Sequence, residues 1–175
     1  FPIVFIVGGT GFMFGSGGAA LASKCLGEKD KDKANKVFSM MITFSLIAGT
    51  IVSVIMFFFM DMIVDGLASL STSPSQGMVA NAKLYGKILI LGQPFFMVQN
   101  LFQNFFIVDE KPKMGFLCTL ISGITNIAFD AILIAGFKLG VIGAAIGTIL
   151  GYLAGSIGPV IYFLKAKNNL IQIKI

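Results

Sequence analysis

Histidine, tryptophan and arginine are missing from this 175-residue chain, whose 13 basic residues are all lysine. Without histidine there is no His–Ser or His–Cys catalytic pair and no histidine-based metal site. Charge is scarce as well, at 12% of residues against 56% hydrophobic, with a mean hydropathy of +0.91. Soluble domains carry about 25% charged residues, and these charges fall almost wholly between long apolar runs. That is the composition of an integral membrane protein. The net charge of +5 does not imply a nucleic-acid partner. The lysines sit in short segments at the edges of apolar runs, where retention on the cytoplasmic side accounts for them.

Only two cysteines are present, Cys25 and Cys118. The topology below puts both near the cytoplasmic face, a reducing environment, so they read as small packing residues without a disulfide. The chain opens on Phe1-Pro2 inside an apolar run, with neither a basic start nor a small-residue cleavage pattern. It is expected to be an internal piece of a longer protein.

A membrane-crossing helix needs about 20 apolar residues. Five stretches meet this, at approximately 1–23, 37–60, 88–108, 114–137 and 139–164. The expected fold is therefore all-α, a polytopic transmembrane helix bundle with five spans, the last two joined by a tight turn at Lys138, Leu139 and Gly140. One side of this arrangement holds ten lysines (24, 29, 31, 33, 36, 111, 113, 165, 167 and 174) and the other holds Lys83, Lys87 and Lys138. The lysine-rich side is cytoplasmic by the positive-inside rule, so Phe1 starts outside, Ile175 ends inside, and a further helix is expected upstream. Asp61 to Lys87 is then the longest external segment. Within it Ser73 reads as a helix cap, Pro74 as the first helical residue and Gln76 as closing a capping box, with the helix running on into the third span.

Gly143, Gly147, Gly151 and Gly155 repeat every four residues in the fifth span, and the first span holds Gly8, Gly9, Gly11, Gly15, Gly17 and Gly18. Such stripes let helix backbones approach closely, either for packing or to let helices shift. Pro94 and Pro159 each withdraw a backbone donor inside a span, and are candidates for a kink, a hinge or a site-lining break. Five amides, Gln93, Gln99, Asn100, Gln103 and Asn104, crowd the third span. Lipid cannot satisfy them, so they either line a polar cavity or hold helices together by hydrogen bonds.

The chemistry concentrates in the fourth span. Asp130 is the one charge between Met114 and Phe137. An ionised carboxylate at the centre of a membrane helix costs about 2.5–3.5 kcal/mol on insertion scales, so it calls for a cation, a proton or a water-filled cavity. Thr119, Ser122, Asn126 and Asp130 step by three, four and four, which traces one polar stripe down a helix face. Asn126 and Asp130 can offer oxygens to one small cation, or the amide can steady a carboxylate that gains and loses a proton. Burial favours the neutral acid and a bound cation the carboxylate, so such a site can exchange H⁺ against Na⁺ or a cationic substrate. A structural aspartate capped by neighbouring donors is the alternative. Asp130 lies nine residues before Leu139 and Thr148 nine after it, at a similar membrane depth, so Thr148 can add its hydroxyl.

Several segments match a known pattern together. Asn126-Ile127-Ala128-Phe129-Asp130, then Gly140-Val141-Ile142-Gly143-Ala144-Ala145-Ile146-Gly147-Thr148, resembles the multidrug and toxic compound extrusion family. Gly15-Ser16-Gly17-Gly18-Ala19 through Gly27-Glu28-Lys29-Asp30 is similar to that family's glycine-rich second helix and the loop after it. Asp109-Glu110-Lys111-Pro112-Lys113 resembles the loop after its fourth helix. The likeness covers nearly the whole chain, as helices two to six of a twelve-helix, two-lobed transporter. It implies an antiporter at the cell membrane that exports organic cations and other amphipathic small molecules, driven by inward H⁺ or Na⁺, with no other cofactor. The family's N-terminal cation site maps onto Asn126, Asp130 and Thr148; a first-helix aspartate completes it in the family, on a helix outside this chain.

A lipid-linked oligosaccharide flippase of the same superfamily is the nearest rival. Those proteins tend to line their cavities with basic residues, whereas this chain puts no lysine within a span and its lone intramembrane charge is acidic. An intramembrane aspartyl protease needs two carboxylates sharing a proton, and only Asp130 lies within a span; no enzyme activity is expected. A channel or a purely structural subunit leaves the Asn–Asp pair without a role. The expected protein is a monomeric transporter in the lipid bilayer with small amphipathic or cationic substrates.

Overall fold

A computed structural model describes residues 2–70, 75–165 and 170–173, with side chains from Gly8 onward. The described residues form six α-helices and no strands: α1 (Pro2–Gly27), α2 (Lys31–Ser69), α3 (Gln76–Leu91), α4 (Gln93–Val108), α5 (Pro112–Asp130) and α6 (Gly140–Lys165). Between α5 and α6 the helix continues as one wider π-helical stretch, Ala131–Gly136. Three of these rods are long and apolar enough to cross a membrane, namely Lys31–Ser69, Pro112–Gly136 and Gly140–Lys165.

Helix α2 departs most from the expected span. At 39 residues it is about 58 Å long, roughly twice a bilayer's hydrocarbon core. It starts early because the Asp30 side chain caps it, accepting from Lys33 N at 2.9 Å. It ends late because the charges taken for loop residues are paired across helices. Lys83 of α3 reaches Asp65 at 2.7 Å and Lys87 reaches Asp61 at 2.7 Å. The segment from Asp61 to Lys87 is therefore largely two helix ends pinned together. Ser73 and Pro74 lie outside the described residues. The helix that follows is capped by Ser75, which accepts from Met78 N at 3.2 Å, so Gln76 is its first residue and the capping box around it is displaced.

The expected third span is broken into two helices of 16 residues. The break falls at Gly92, and Pro94 stands in the first turn of α4, where a missing N–H costs nothing because no intrahelical acceptor faces it. Pro94 thus opens a helix, whereas Pro159 lies inside α6. Gly92 is pressed against α6: a β-carbon there would come within 2.7 Å of Ile149 Cγ1. The turn before α6 needs the left-handed region at Lys138 (φ 56°) and Gly140 (φ 54°), and Leu139 N closes it on Leu133 O at 3.0 Å.

The core is aromatic. Phe38 of α2 stacks on Phe105 with centroids 4.3 Å apart and meets Phe163 edge-on at 4.8 Å, while Phe106 lies 4.9 Å from Phe163. This cluster ties α2, α4 and α6 together at the end of the bundle that carries Lys111 and Lys165. Glycines bring α1 onto α4: a β-carbon on Gly11 would sit 3.0 Å from Met97 Cα, and one on Gly15 3.2 Å from Leu101 Cα. Cys25 and Cys118 are free and buried.

Candidate functional site

The polar stripe of α5 lies along the glycine stripe of α6, level by level. Ser122 Oγ donates to Gly151 O at 2.8 Å. One turn on, Asn126 Nδ2 donates to Thr148 Oγ1 at 3.3 Å, and Thr148 Oγ1 donates to Ala144 O at 2.9 Å. A further turn brings Asp130 against Gly147, whose missing side chain makes the room: a β-carbon there would overlap Asp130 Oδ1 and lie 3.1 Å from Asp130 N. The Gly143–Gly155 repeat is thus the floor on which the α5 side chains rest. Only residues lacking a β-carbon permit backbones this close.

Asp130 Oδ1 is buried and has no hydrogen-bond partner. Buried polar atoms are almost always paired, so an orphaned carboxylate oxygen marks a place for a proton or a cation. Asn126, with its amide nitrogen committed to Thr148, keeps its carbonyl oxygen as an acceptor. Thr148 holds Asn126 in that orientation. The three residues therefore follow one another along one acceptor-rich wall of the α5–α6 interface. Among the described residues no group of three or more Cys, Asp or Glu side chains could hold a metal ion. Asp130 also stands where α-helix gives way to π-helix, an irregularity that recurs at functional sites because it shifts the register of the side chains that follow.

The amides of α4 divide. Gln103 Nε2 donates to Thr119 Oγ1 at 2.8 Å, joining α4 to α5. Asn100 and Asn104 donate back to their own helix, at Phe96 O (3.0 Å) and Asn100 O (2.9 Å). Gln93 and Gln99 are buried with unpartnered Oε1 atoms. Gln99 adjoins the α5 stripe, since a β-carbon on Gly155 would meet Gln99 Nε2 at 2.7 Å and Ser122 Cβ at 2.9 Å. A separate cavity of about 270 Å³ between α2, α4 and α6 is lined by apolar side chains and Ser156. Ser156 Oγ is already occupied by Phe95 O and Tyr152 O.

Reading the sequence alone missed two features. One is that Gly147 is the residue on which Asp130 rests, for which the glycine spacing was the available signal. The other is a buried role for Asp109, whose carboxylate accepts from the Tyr162 hydroxyl at 2.8 Å; in the sequence it stands among loop charges and nothing distinguishes it.

The MatE family model matches residues 1–132, a range that takes in Asn126 and Asp130. The multidrug export protein MepA of Staphylococcus saprophyticus is 32% identical over 174 residues, 99% of this chain and 37% of that protein. MepA of Staphylococcus aureus is 31% identical over the same share of each. The chain thus spans little more than a third of the length of these relatives. Among solved structures, an inward-facing multidrug resistance MATE family transporter of the MOP superfamily superposes with a TM-score of 0.91 at 21% identity, over 99% of this chain and 38% of its own. That likeness establishes the fold, a membrane helix bundle, and the family match extends over three quarters of the residues. By that family match the chain belongs to the MatE family.

Proposed function

We propose that this chain supplies helices two to six of the N-terminal lobe of a two-lobed multidrug efflux antiporter, which exports drugs or organic cations in exchange for inward H⁺ or Na⁺. The observation that carries this is the buried, unpartnered Asp130 Oδ1 beside the Asn126–Thr148 bond. In this reading Asp130 takes the coupling ion, Asn126 adds its carbonyl oxygen and Thr148 fixes that amide. Binding there neutralises a charge at membrane depth, and release restores it. This is how a small ion can bias a large apolar bundle between two states. The relatives named as multidrug export proteins support the direction and the cargo class.

Gln93 and Gln99, whose oxygens remain unpaired, are the α4 amides with capacity for water or cargo; Gln103 ties α4 to α5, while the amide nitrogens of Asn100 and Asn104 are taken up within α4 itself. The break at Gly92–Pro94 and the proline inside α6 at Pro159 are the bending points. The full-length protein works as a monomer in the cell membrane, with Lys165 on the cytoplasmic side. A flippase for an anionic lipid carrier fits less well, since the carboxyl group at the α5–α6 interface, that of Asp130, is acidic.

The test is accumulation of a fluorescent organic cation in cells that express the full-length gene and lack competing pumps. Lower accumulation than in cells carrying the empty vector is expected. Loss of the effect on collapsing the proton gradient assigns H⁺, and loss on replacing Na⁺ assigns Na⁺. Unchanged accumulation in every condition defeats the efflux reading. Thr148→Val keeps the shape of the side chain and removes the hydroxyl. One neutral hydrogen bond is worth about 0.5–1.5 kcal/mol, so half-maximal transport should need about two- to tenfold more coupling ion, measured from the ion dependence of efflux rate.

A further inference from the structure

Asp109 ends α4 where α6 also ends, and its side chain is wholly buried, at 0% exposure. One oxygen, Oδ2, accepts from the Tyr162 hydroxyl at 2.8 Å and has Lys111 Nζ at 3.6 Å. The other, Oδ1, accepts from the backbone N–H of Leu170 at 2.7 Å and of Ile171 at 3.3 Å. Asn35 of α2 takes the next donor along, accepting from Gln172 N at 2.8 Å, and Ile173 N donates to Phe163 O at 3.4 Å. Ile171 is 0% exposed and packs into the same apolar cluster as Phe38, Phe102 and Phe163.

Four successive residues beyond α6, Leu170–Ile173, therefore spend every backbone donor on the bundle, two of them on a single buried carboxylate. Buried charge is tolerated only when paired and saturated with hydrogen bonds, and Asp109 meets that condition only while this segment is in place. Hydrogen bonding to the Tyr162 hydroxyl, with the charge of Asp109 adding to it, holds the Lys111 ammonium above its ordinary range, so it stays cationic. The arrangement is built from α2, α4 and α6 and shares no residue with the wall at Asp130.

We propose that Asp109, with Tyr162, Lys111 and Asn35, is a clamp that makes Leu170–Ile173 a fixed part of this lobe. Whatever follows in the full-length protein is then tethered at Ile173 and not at the end of α6. The clamp stays shut while the transporter changes state.

Two experiments test this on the full-length protein. In the first, the purified protein in detergent micelles is treated with limiting trypsin, for which Lys167 and Lys174 flank the clamped segment. Asp109→Asn should speed cleavage there by about tenfold or more, because a charged acceptor of several bonds is lost. Tyr162→Phe should give a smaller rise, and cleavage of Asp109→Asn at the wild-type rate overturns the proposal. In the second, Asn35→Cys and Gln172→Cys are combined in a background carrying Cys25→Ala and Cys118→Ala and joined by a short thiol cross-linker, with the native Asp109 retained. Ready cross-linking with efflux unchanged is expected. Failure to cross-link, or arrest of efflux that reduction relieves, overturns it. If even the wild type exports nothing, the efflux reading fails, and the trypsin and cross-linking results still judge the clamp.

Discussion

Asp130→Asn in the full-length gene is expected to bring efflux of a fluorescent cation down to that of cells carrying the empty vector, at matched protein level in the membrane. The substitution keeps size and shape and removes the ability to ionise. Asp130 Oδ1 has no partner, so no hydrogen bond within the bundle is broken and the protein should assemble normally. What disappears is the one charge at the α5–α6 interface that an ion can neutralise. An asparagine can still offer a carbonyl oxygen, but a neutral amide gives the coupling ion no large difference in affinity between states, and without such a difference binding shifts no equilibrium. Efflux that equals wild type would remove Asp130 from the mechanism.

Gly147→Ala is expected to have the second-largest effect, although it adds a single carbon. That carbon would overlap Asp130 Oδ1 and stand 3.1 Å from the Asp130 backbone nitrogen, which cannot rotate away. Overpacking of this kind typically costs about 1–3 kcal/mol, and here relief requires α6 to move off α5 or the carboxylate to leave its place. Both outcomes damage the wall at Asp130, so lowered thermal stability in detergent and loss of efflux should appear together. Gly123→Ala is the control. It lies on α5, the helix that carries Asp130, with nothing within 4 Å of the added carbon, and alanine in a helix interior is favoured over glycine by about 0.5–1 kcal/mol. Its melting temperature should hold or rise slightly. Equal losses in the two variants would mean that the close contact at Gly147 is not what makes its substitution costly.

Much of this was legible from residue order. The α5 stripe was readable because Thr119, Ser122, Asn126 and Asp130 obey helical spacing within one span, and Thr148 because a tight turn makes depth a matter of counting outward from Leu139. Both are local relations. The features that escaped depend on distant parts of the chain. Asp61 and Asp65 read as loop charges until Lys87 and Lys83 are seen to meet them, so α2 was expected to stop nine residues short of Ser69. Asp109 finds its partners 53 to 62 residues away, beyond the reach of any periodicity. The π-helical stretch after Asp130 consists of residues that suit an α-helix equally well. Its register is set by where the Lys138 turn and α6 must lie.

The close approach of α5 and α6 has a consequence for traffic through the molecule. Where Gly147, Gly151 and Gly155 meet Asp130, Asn126, Ser122 and Gln99, a single added carbon would lie within about 3 Å of a neighbouring atom. A planar drug is thicker than that along its thinnest axis, so no organic cation can pass through this seam. In the exchanger proposed, the organic cargo must then travel outside this seam, and an ion held at Asp130 acts on it only by changing the shape of the wall between them.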